Sequence, residues 1–167
     1  MTLLHPAPAF EDKIVGRDAL AARAALLGRP LVLTNGVFDV LHRGHITYLW
    51  RARALGASLV VALNSDASVR ALGKGADRPV NGEEDRAALL AALECVDLVT
   101  IFGETVPLPV LEIVRPDIYV KGGDYDVAAT PEARLASTWG ARSVAIAFEH
   151  QRSTTAFLER VRAGGKI

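Results

Sequence analysis

Two histidines three residues apart, His42 and His45, are the side chains of this sequence best suited to chemistry. They end a stretch that begins at Thr34, directly after an apolar run that ends at Leu33, and that turns at Gly36. We expect Gly36 to make the turn, because glycine tolerates backbone angles that other residues avoid. On the first turn of a helix the two imidazoles lie on one face, where they can donate hydrogen bonds beside the anion-attracting helix start. The pattern predicts stabilisation of a phosphoryl group during transfer, whereas the histidines alone also fit helix caps or core residues.

Two more polar clusters suit phosphate, and each follows an apolar run. Lys121 precedes two glycines, and its ammonium is a point charge that can reach a phosphate. Arg152 precedes Ser153, Thr154 and Thr155, whose hydroxyls would open a helix and bind an anion there. The alternatives are a tight turn with a solvated lysine and an ordinary helix cap.

A third cluster, Asn64-Ser65-Asp66, also follows an apolar run. Asn64 or Asp66 can hydrogen-bond a sugar hydroxyl, and capping of the next helix explains Asp66 equally well.

A glycine-rich loop carries Lys74, and two arginines lie beyond it. The loop composition predicts a mobile lid with a lysine at its tip, or equally an ordinary surface loop with a solvated lysine. Arg78 and Arg86 can each contact a phosphate. A surface ion pair with Glu83 or Asp85 is the commoner arrangement for such arginines.

The elements that must position these residues alternate along the chain. Strands are predicted at about 31–35, 58–63, 96–102, 117–120 and 143–148. Helices are predicted at about 18–27, 46–55, 66–72, 82–94, 106–114, 130–139 and 153–163. This order predicts an α/β, Rossmann-like, doubly wound five-stranded parallel sheet with helices on both faces, in one domain over 1–167 with an irregular N-terminal arm over 1–13. Ligands of such sheets bind beyond the carboxyl ends of the strands, so we expect the polar clusters to converge there.

Composition limits the partners. Nineteen basic residues balance nineteen acidic ones, which argues against a nucleic-acid or anionic-membrane surface. The single cysteine, Cys95, cannot form an intrachain disulfide framework. The sequence has neither an apolar run of about 18 residues nor a signal-peptide pattern, which predicts a cytoplasmic protein without a membrane span.

The run Gly36-Val37-Phe38-Asp39, followed by His42-Arg43-Gly44-His45, resembles the G-x-F-D-x-x-H-x-G-H signature of the HxGH nucleotidyltransferases, in their cytidylyltransferase-like branch. The resemblance covers the chain from about Lys13 onward. Within the branch it is strongest to the adenylyltransferases that make ADP-heptose, in their stand-alone form without a kinase half. The matching segments are 34–42, 61–69, 78–81, 121–125 and 153–155.

This resemblance implies transfer of AMP from ATP to D-glycero-D-manno-heptose 1-phosphate, giving ADP-heptose and pyrophosphate for surface glycan synthesis. It implies Mg²⁺ carried mainly by ATP, with no protein metal ligand, and a homo-oligomer. The implied catalytic residues are His42, His45, Lys74 and Lys121. The implied nucleotide-binding residues are Thr34, Asn35, Gly36, Val37, Phe38, Gly44, His45, Lys121, Gly123, Asp124, Arg152, Ser153, Thr154 and Thr155. The implied residues for the sugar phosphate are Asp39, Asn64, Asp66 and Arg78.

Two other functions fit the same motifs. The HxGH pair does not choose the base, so a cytidylyltransferase acting on glycerol 3-phosphate or a similar alcohol phosphate is the first alternative. A nucleotide-binding domain without catalysis is the second. The pair of histidines, Lys121 and the hydroxyl cluster favour an enzyme.

Overall fold

The computed structural model describes residues 6–73, 75, 77–123, 126–149, 159, 161 and 163–164. Its strands are β1 (Leu31–Gly36), β2 (Ser58–Asn64), β3 (Leu98–Phe102), β4 (Ile118–Gly122) and β5 (Arg142–Ile146). All neighbouring strands pair in parallel, and their order across the sheet is β3-β2-β1-β4-β5. The predicted doubly wound parallel sheet is therefore confirmed.

Helices cover the sheet and connect the strands. They are α1 (Arg17–Ala25), α2 (Arg43–Arg53), α3 (Asp66–Ala71), α4 (Glu83–Ala91), α5 (Leu108–Val114) and α6 (Pro131–Ser137). Short 3-10 helices lie at Ala9–Lys13 and Val127–Ala129. Local sequence explains several helix starts: Ser65 accepts a hydrogen bond from the Ser68 amide, and Thr130 accepts one from the Ala133 amide with Pro131 next in the chain.

The core has two layers because successive strand side chains point to opposite faces. Val32 packs in one layer with Leu49 of α2 and Leu90 of α4. Its neighbour Leu33 packs in the other layer with Leu111 of α5. Both faces of the sheet are thus covered by helices, as parallel sheets require. None of the helices in the described part of the chain is long and apolar enough to span a bilayer.

The strand order places a crevice at the carboxyl end of β1. β1 pairs with β2 on one side, and the chain returns to pair β4 on its other side. At such a switch point the chain leaves neighbouring strands towards opposite faces, α2 after β1 and α6 after β4, and this leaves space for a ligand. The turn after β1 and the end of β4 therefore lie side by side at the crevice.

The arm at the N-terminus differs from expectation. Residues 9–13, predicted to be irregular, form a 3-10 helix. The ammonium of Lys13 donates hydrogen bonds to the carbonyls of Leu93 and Val96, and Ile14 bridges to Val99 of β3. These contacts with the edge of the sheet order the arm. The predicted last helix, 153–163, falls almost entirely outside the described residues.

Candidate active site

The turn after β1 carries its backbone strain at Phe38. Phe38 has a φ of 45°, in the left-handed region that non-glycine residues rarely adopt. Gly36 itself ends β1, and a Cβ on it would lie 2.9 Å from the Phe38 ring. The expectation that Gly36 supplies the unusual backbone angle is wrong. Its lack of a side chain makes room for the ring that folds back over it.

The two histidines stand together at the start of α2. His42 is the N-cap residue and His45 lies in the first turn. Their rings stack with centroids 3.9 Å apart and planes 20° from parallel, and the Phe38 ring meets His45 edge-on at 5.3 Å. The prediction that both imidazoles share a face is confirmed. Gly44 between them is buried in the same turn.

His45 is neutral at physiological pH. Burial, the larger cause, and the neighbouring His42 together lower its pKa to about 4, although a hydrogen bond with the backbone of Val40 partly opposes them. A neutral imidazole donates one hydrogen bond and accepts one. The pair can therefore offer directed donors to a phosphate oxygen beside the positive end of α2.

Asp39 and Arg78 bind each other. The Asp39 carboxylate is almost fully buried and accepts hydrogen bonds from Nε of Arg78 and from the amides of Val80 and Asn81, the last two at 2.8 and 3.0 Å. A buried carboxylate requires such partners because desolvation is costly. That Asp39 and Arg78 contact the sugar phosphate stays a prediction. They fasten the 78–81 loop to the turn after β1.

Arg86, which the sequence suggested as a surface residue, is fully buried. Its guanidinium donates hydrogen bonds to the carbonyls of Val37 at 2.7 Å, Asn64 at 2.9 Å and Asn81 at 3.0 Å. It also pairs with the Asp66 carboxylate at 2.7 Å. The expected surface ion pair is wrong. The guanidinium has five N–H donors, and these acceptors converge on it inside the protein. The sequence held one indication of this burial. Arg86 lies four residues before Leu90, which is buried, and residues with that spacing share one face of a helix.

The Asn64-Ser65-Asp66 cluster serves the protein itself. Asn64 is buried, and its amide donates to Ser68 Oγ at 2.9 Å. Ser65 is the cap of α3, whereas Asp66 pairs with Arg86. The capping alternative for Asp66 is wrong, because Ser65 caps the helix. The sugar contact of Asn64 and Asp66 stays a prediction. Both side chains bind groups of the protein itself.

Thr34, expected among the nucleotide-binding residues, also contacts another side chain of the protein. Its hydroxyl lies 2.6 Å from the hydroxyl of Tyr48, and it is fully buried. The contact joins β1 to α2, so the side chain of Thr34 positions the helix that carries the histidines.

Lys121 lies beside the turn after β1, as the convergence of strand ends predicts. Its ammonium donates to Oδ1 of Asn35 at 3.1 Å and to the buried Glu132 at 3.2 Å, and a quarter of its side chain remains exposed. Sequence reasoning missed Glu132, which lies eleven residues away on another element. Gly123 has a φ of 133°, which a residue with a side chain rarely adopts.

Several predicted site residues lie outside the described residues. They are Lys74, Asp124, Arg152, Ser153, Thr154 and Thr155. Among the residues that the structure does describe, no group of three or more His, Cys, Asp or Glu side chains is placed to hold a metal ion.

Replacing Arg86 should destabilise the fold strongly. Arg86→Ala removes a fully buried guanidinium and leaves three carbonyls and Asp66 without their partner, so we expect a loss of about 3–5 kcal/mol in the free energy of unfolding. Urea unfolding measures this free energy. Arg17→Ala breaks an exposed pair with Glu104 and should cost less than about 1 kcal/mol. If Arg86→Ala fails to fold, Arg86→Lys, which keeps the charge but not the fork, should still be clearly less stable than Arg17→Ala. Equal stabilities would contradict this assignment.

His45 should make the fold sensitive to mild acid. Its pKa is about 4 in the folded chain and 6.5 when unperturbed, so below pH 6.5 the unfolded state binds a proton that the folded state does not. The free energy of unfolding therefore falls as the pH drops towards 4. We expect His45→Gln to remove roughly 1–2 kcal/mol of the loss between pH 7 and pH 5, measured by urea unfolding. An unchanged pH dependence would refute the low pKa.

Comparison with known proteins agrees with the site. The family model described as Cytidylyltransferase-like matches residues 33–160. A relative from Bordetella bronchiseptica, named D-beta-D-heptose 1-phosphate adenylyltransferase, is 59% identical over 157 residues, which are 93% of this chain and 97% of that protein. The Bifunctional protein HldE of Geotalea uraniireducens is 47% identical over 163 residues, 96% of this chain but 33% of its own length. The chain thus spans about a third of that bifunctional relative.

Solved structures share the architecture. A lipopolysaccharide core biosynthesis protein from Thermoplasma volcanium aligns with a TM-score of 0.59 and 32% identity, over 73% of this chain and 98% of that one. A pantoate-beta-alanine ligase from Francisella tularensis, at 13% identity, aligns with a TM-score of 0.55 over 85% of this chain and 68% of its own, and shows the fold alone. The extent of the family match and the identity to full-length relatives establish that this chain belongs to the cytidylyltransferase-like family.

Proposed function

We propose that this chain is an adenylyltransferase that transfers AMP from ATP to D-β-D-heptose 1-phosphate, producing ADP-heptose and pyrophosphate. The observation that carries the proposal is the stacked pair His42 and His45 at the start of α2, in a chain 59% identical to a relative with that name over nearly the whole of both proteins. The relative's name also supplies the β anomer, which the sequence motifs leave open.

The reaction needs positioning more than proton transfer. A phosphate oxygen of the sugar attacks the α-phosphorus of ATP, and the bond between that phosphorus and the oxygen bridging to the β-phosphate breaks, so that pyrophosphate leaves with the electron pair. The attacking phosphate is already an anion at neutral pH and requires no general base. Catalysis then depends on in-line placement and on stabilising the charge of the transition state.

The described residues can supply that stabilisation. Neutral His45 and its stacked neighbour His42 donate hydrogen bonds to the α-phosphate and the departing pyrophosphate. The backbone of the turn at Gly36, Val37 and Phe38, which Arg86 holds through the Val37 carbonyl, lies against the triphosphate. Donors fixed in advance by a turn that the protein holds in place do not have to reorganise when charge develops.

Other predicted residues complete the proposal. Lys121 adds a positive charge at the end of β4, next to Asn35. Lys74 would act from the loop after α3, Asp124 would position a ribose or sugar phosphate, and Arg152, Ser153, Thr154 and Thr155 would bind the β- and γ-phosphates. Mg²⁺ carried in with the nucleotide would neutralise part of the phosphate charge. Asp39 is already engaged by Arg78 and two amides, which fits a metal that arrives with ATP.

We extend the proposal to self-association in a dimer or larger assembly. Ile46 and Trp50 are four residues apart on α2 and are 44% and 57% exposed, which leaves an apolar strip on the outside of that helix. Light scattering of Trp50→Glu against the unaltered protein tests it: we expect a smaller particle for the variant, and equal masses would contradict this interface.

The function is tested by pyrophosphate release with Mg²⁺. ATP and CTP are each combined with both anomers of heptose 1-phosphate and with glycerol 3-phosphate. We expect release with ATP and the β anomer. Release with CTP and glycerol 3-phosphate would make the chain a cytidylyltransferase that acts on an alcohol phosphate by the same mechanism. ATP binding without release from any pair would make it a nucleotide-binding domain without catalysis.

Loss of either histidine should slow turnover. We expect His42→Ala and His45→Ala each to lower kcat by about 100- to 1,000-fold, the loss typical for one transition-state donor. ATP binding, measured by calorimetry, should change much less than kcat. Near-normal turnover in both variants would remove the histidines from the mechanism.

A further inference from the structure

We propose that Glu132 is a positioning residue, which holds the ammonium of Lys121 at the end of β4 in the place where it binds a phosphate of the nucleotide. The inference rests on the proposed function, because it assigns a partner to one of the cations of that same site. Glu132 was absent from every motif in the sequence. Its assignment comes from the contact between α6 and the two central strands.

The carboxylate of Glu132 is held in a costly environment. Its side chain is 5% exposed and lies in the first turn of α6. Removing a carboxylate from water is unfavourable unless a cation and hydrogen-bond donors replace the water. Lys121 provides the cation at 3.2 Å, and the hydroxyl of Tyr119 lies 3.3 Å from the same oxygen. The pair therefore fixes both of its members.

Asn35 connects this pair to the turn after β1. Its Oδ1 accepts a hydrogen bond from the Lys121 ammonium at 3.1 Å and from the Tyr119 hydroxyl at 2.8 Å. Asn35 directly precedes Gly36, where the turn over the histidine pair begins. The four side chains Asn35, Tyr119, Lys121 and Glu132 thus form one polar cluster between β1, β4 and α6, which we call the lysine clamp.

The number of donors on Lys121 indicates what the clamp is for. An ammonium has three N–H donors. Two of them are directed to Asn35 and Glu132, and a quarter of the side chain is exposed. An anion arriving from the exposed side can take the third donor while the other two keep the charge in place. Lysine side chains otherwise lose much rotamer freedom on binding a phosphate, so a held ammonium binds at a lower entropic cost.

A purely structural ion pair is the competing explanation. In that case Glu132 only fastens α6 to the sheet, and its loss lowers stability without affecting phosphate binding. A positioning role acts through Lys121, so its effect must vanish when Lys121 can no longer bind a phosphate. The two explanations differ in a double-mutant cycle.

The experiment compares Glu132→Gln, Lys121→Met and the double variant with the unaltered protein. We expect Glu132→Gln to lower kcat/KM for ATP at least about 10-fold, as is typical when the partner that orients a functional group is lost. In the Lys121→Met background the same change should alter kcat/KM less than about twofold. It should also raise the Tm there, because Lys121→Met leaves a buried carboxylate without its cation.

Asp97→Asn is the matched control. Asp97 pairs with Arg53 at the opposite, amino-terminal edge of the sheet, where β3 begins. Its loss should lower the Tm and leave kcat/KM unchanged. Unchanged kcat/KM in Glu132→Gln, or an equal loss with and without Lys121, would overturn the positioning role.

Calorimetric binding of Mg-ATP to the same proteins separates this inference from the proposed function. Absence of turnover in the unaltered protein would refute the function and leave the binding cycle as the test of the clamp. We then expect Glu132→Gln to weaken ATP binding only where Lys121 is present. Equal Kd values for the unaltered protein and Glu132→Gln would overturn the inference whatever the substrate.

Discussion

The buried guanidinium of Arg86 is the interaction on which the candidate site depends. It reaches from α4 to the carboxyl ends of the strands and binds the carbonyls of Val37, Asn64 and Asn81. Val37 follows β1, Asn64 ends β2, and Asn81 lies between the glycine-rich loop and α4. Parallel strands bring their carboxyl ends to one edge, but nothing in strand pairing fixes the loops beyond it. A planar group with five donors does so, and the Asp66 carboxylate balances its charge.

The turn held by Arg86 is strained and packs against the histidine pair. Phe38 takes a left-handed backbone conformation, and its ring fills the space over Gly36 and meets His45 edge-on. Packing of the same ring thus helps to place and to bury the histidine. Burial keeps His45 neutral, so its role in the proposed mechanism is that of a hydrogen-bond donor and not of a cation. Positive charge comes instead from Lys121 and from the start of α2.

Paired charges recur around this site. Asp39 binds Arg78, Asp66 binds Arg86, and Glu132 binds Lys121. In the first two pairs the arginine is buried and fastens loops. Only the Lys121 pair combines a buried carboxylate with a cation that keeps a quarter of its surface exposed. The partial exposure of Lys121 distinguishes it, as a cation held for a ligand in our proposal, from Arg78 and Arg86, which stabilise the fold.

The sequence by itself determined the sheet, the order of its elements and the place of the histidine pair. Alternating apolar segments specify local structure, and a three-residue spacing at a helix start fixes which side chains are neighbours. It also pointed to the end of β4 through Lys121. The elements and the histidine pair depend on residues that are close in the chain. The position of Lys121 depends on parallel strands ending at one edge of the sheet, which follows from the order of the elements.

Only the tertiary structure decided which polar residues face inward. Asp39, Asn64, Asp66 and Arg78 have the side chains expected of a sugar-phosphate site, yet each is satisfied by a protein partner. Arg86 and Glu132 carried no motif, and their partners lie on other elements. The physical reason is that a buried charge must find a counter-charge and donors in three dimensions. That pairing is set by packing between distant segments, which the spacing of residues along the chain does not encode.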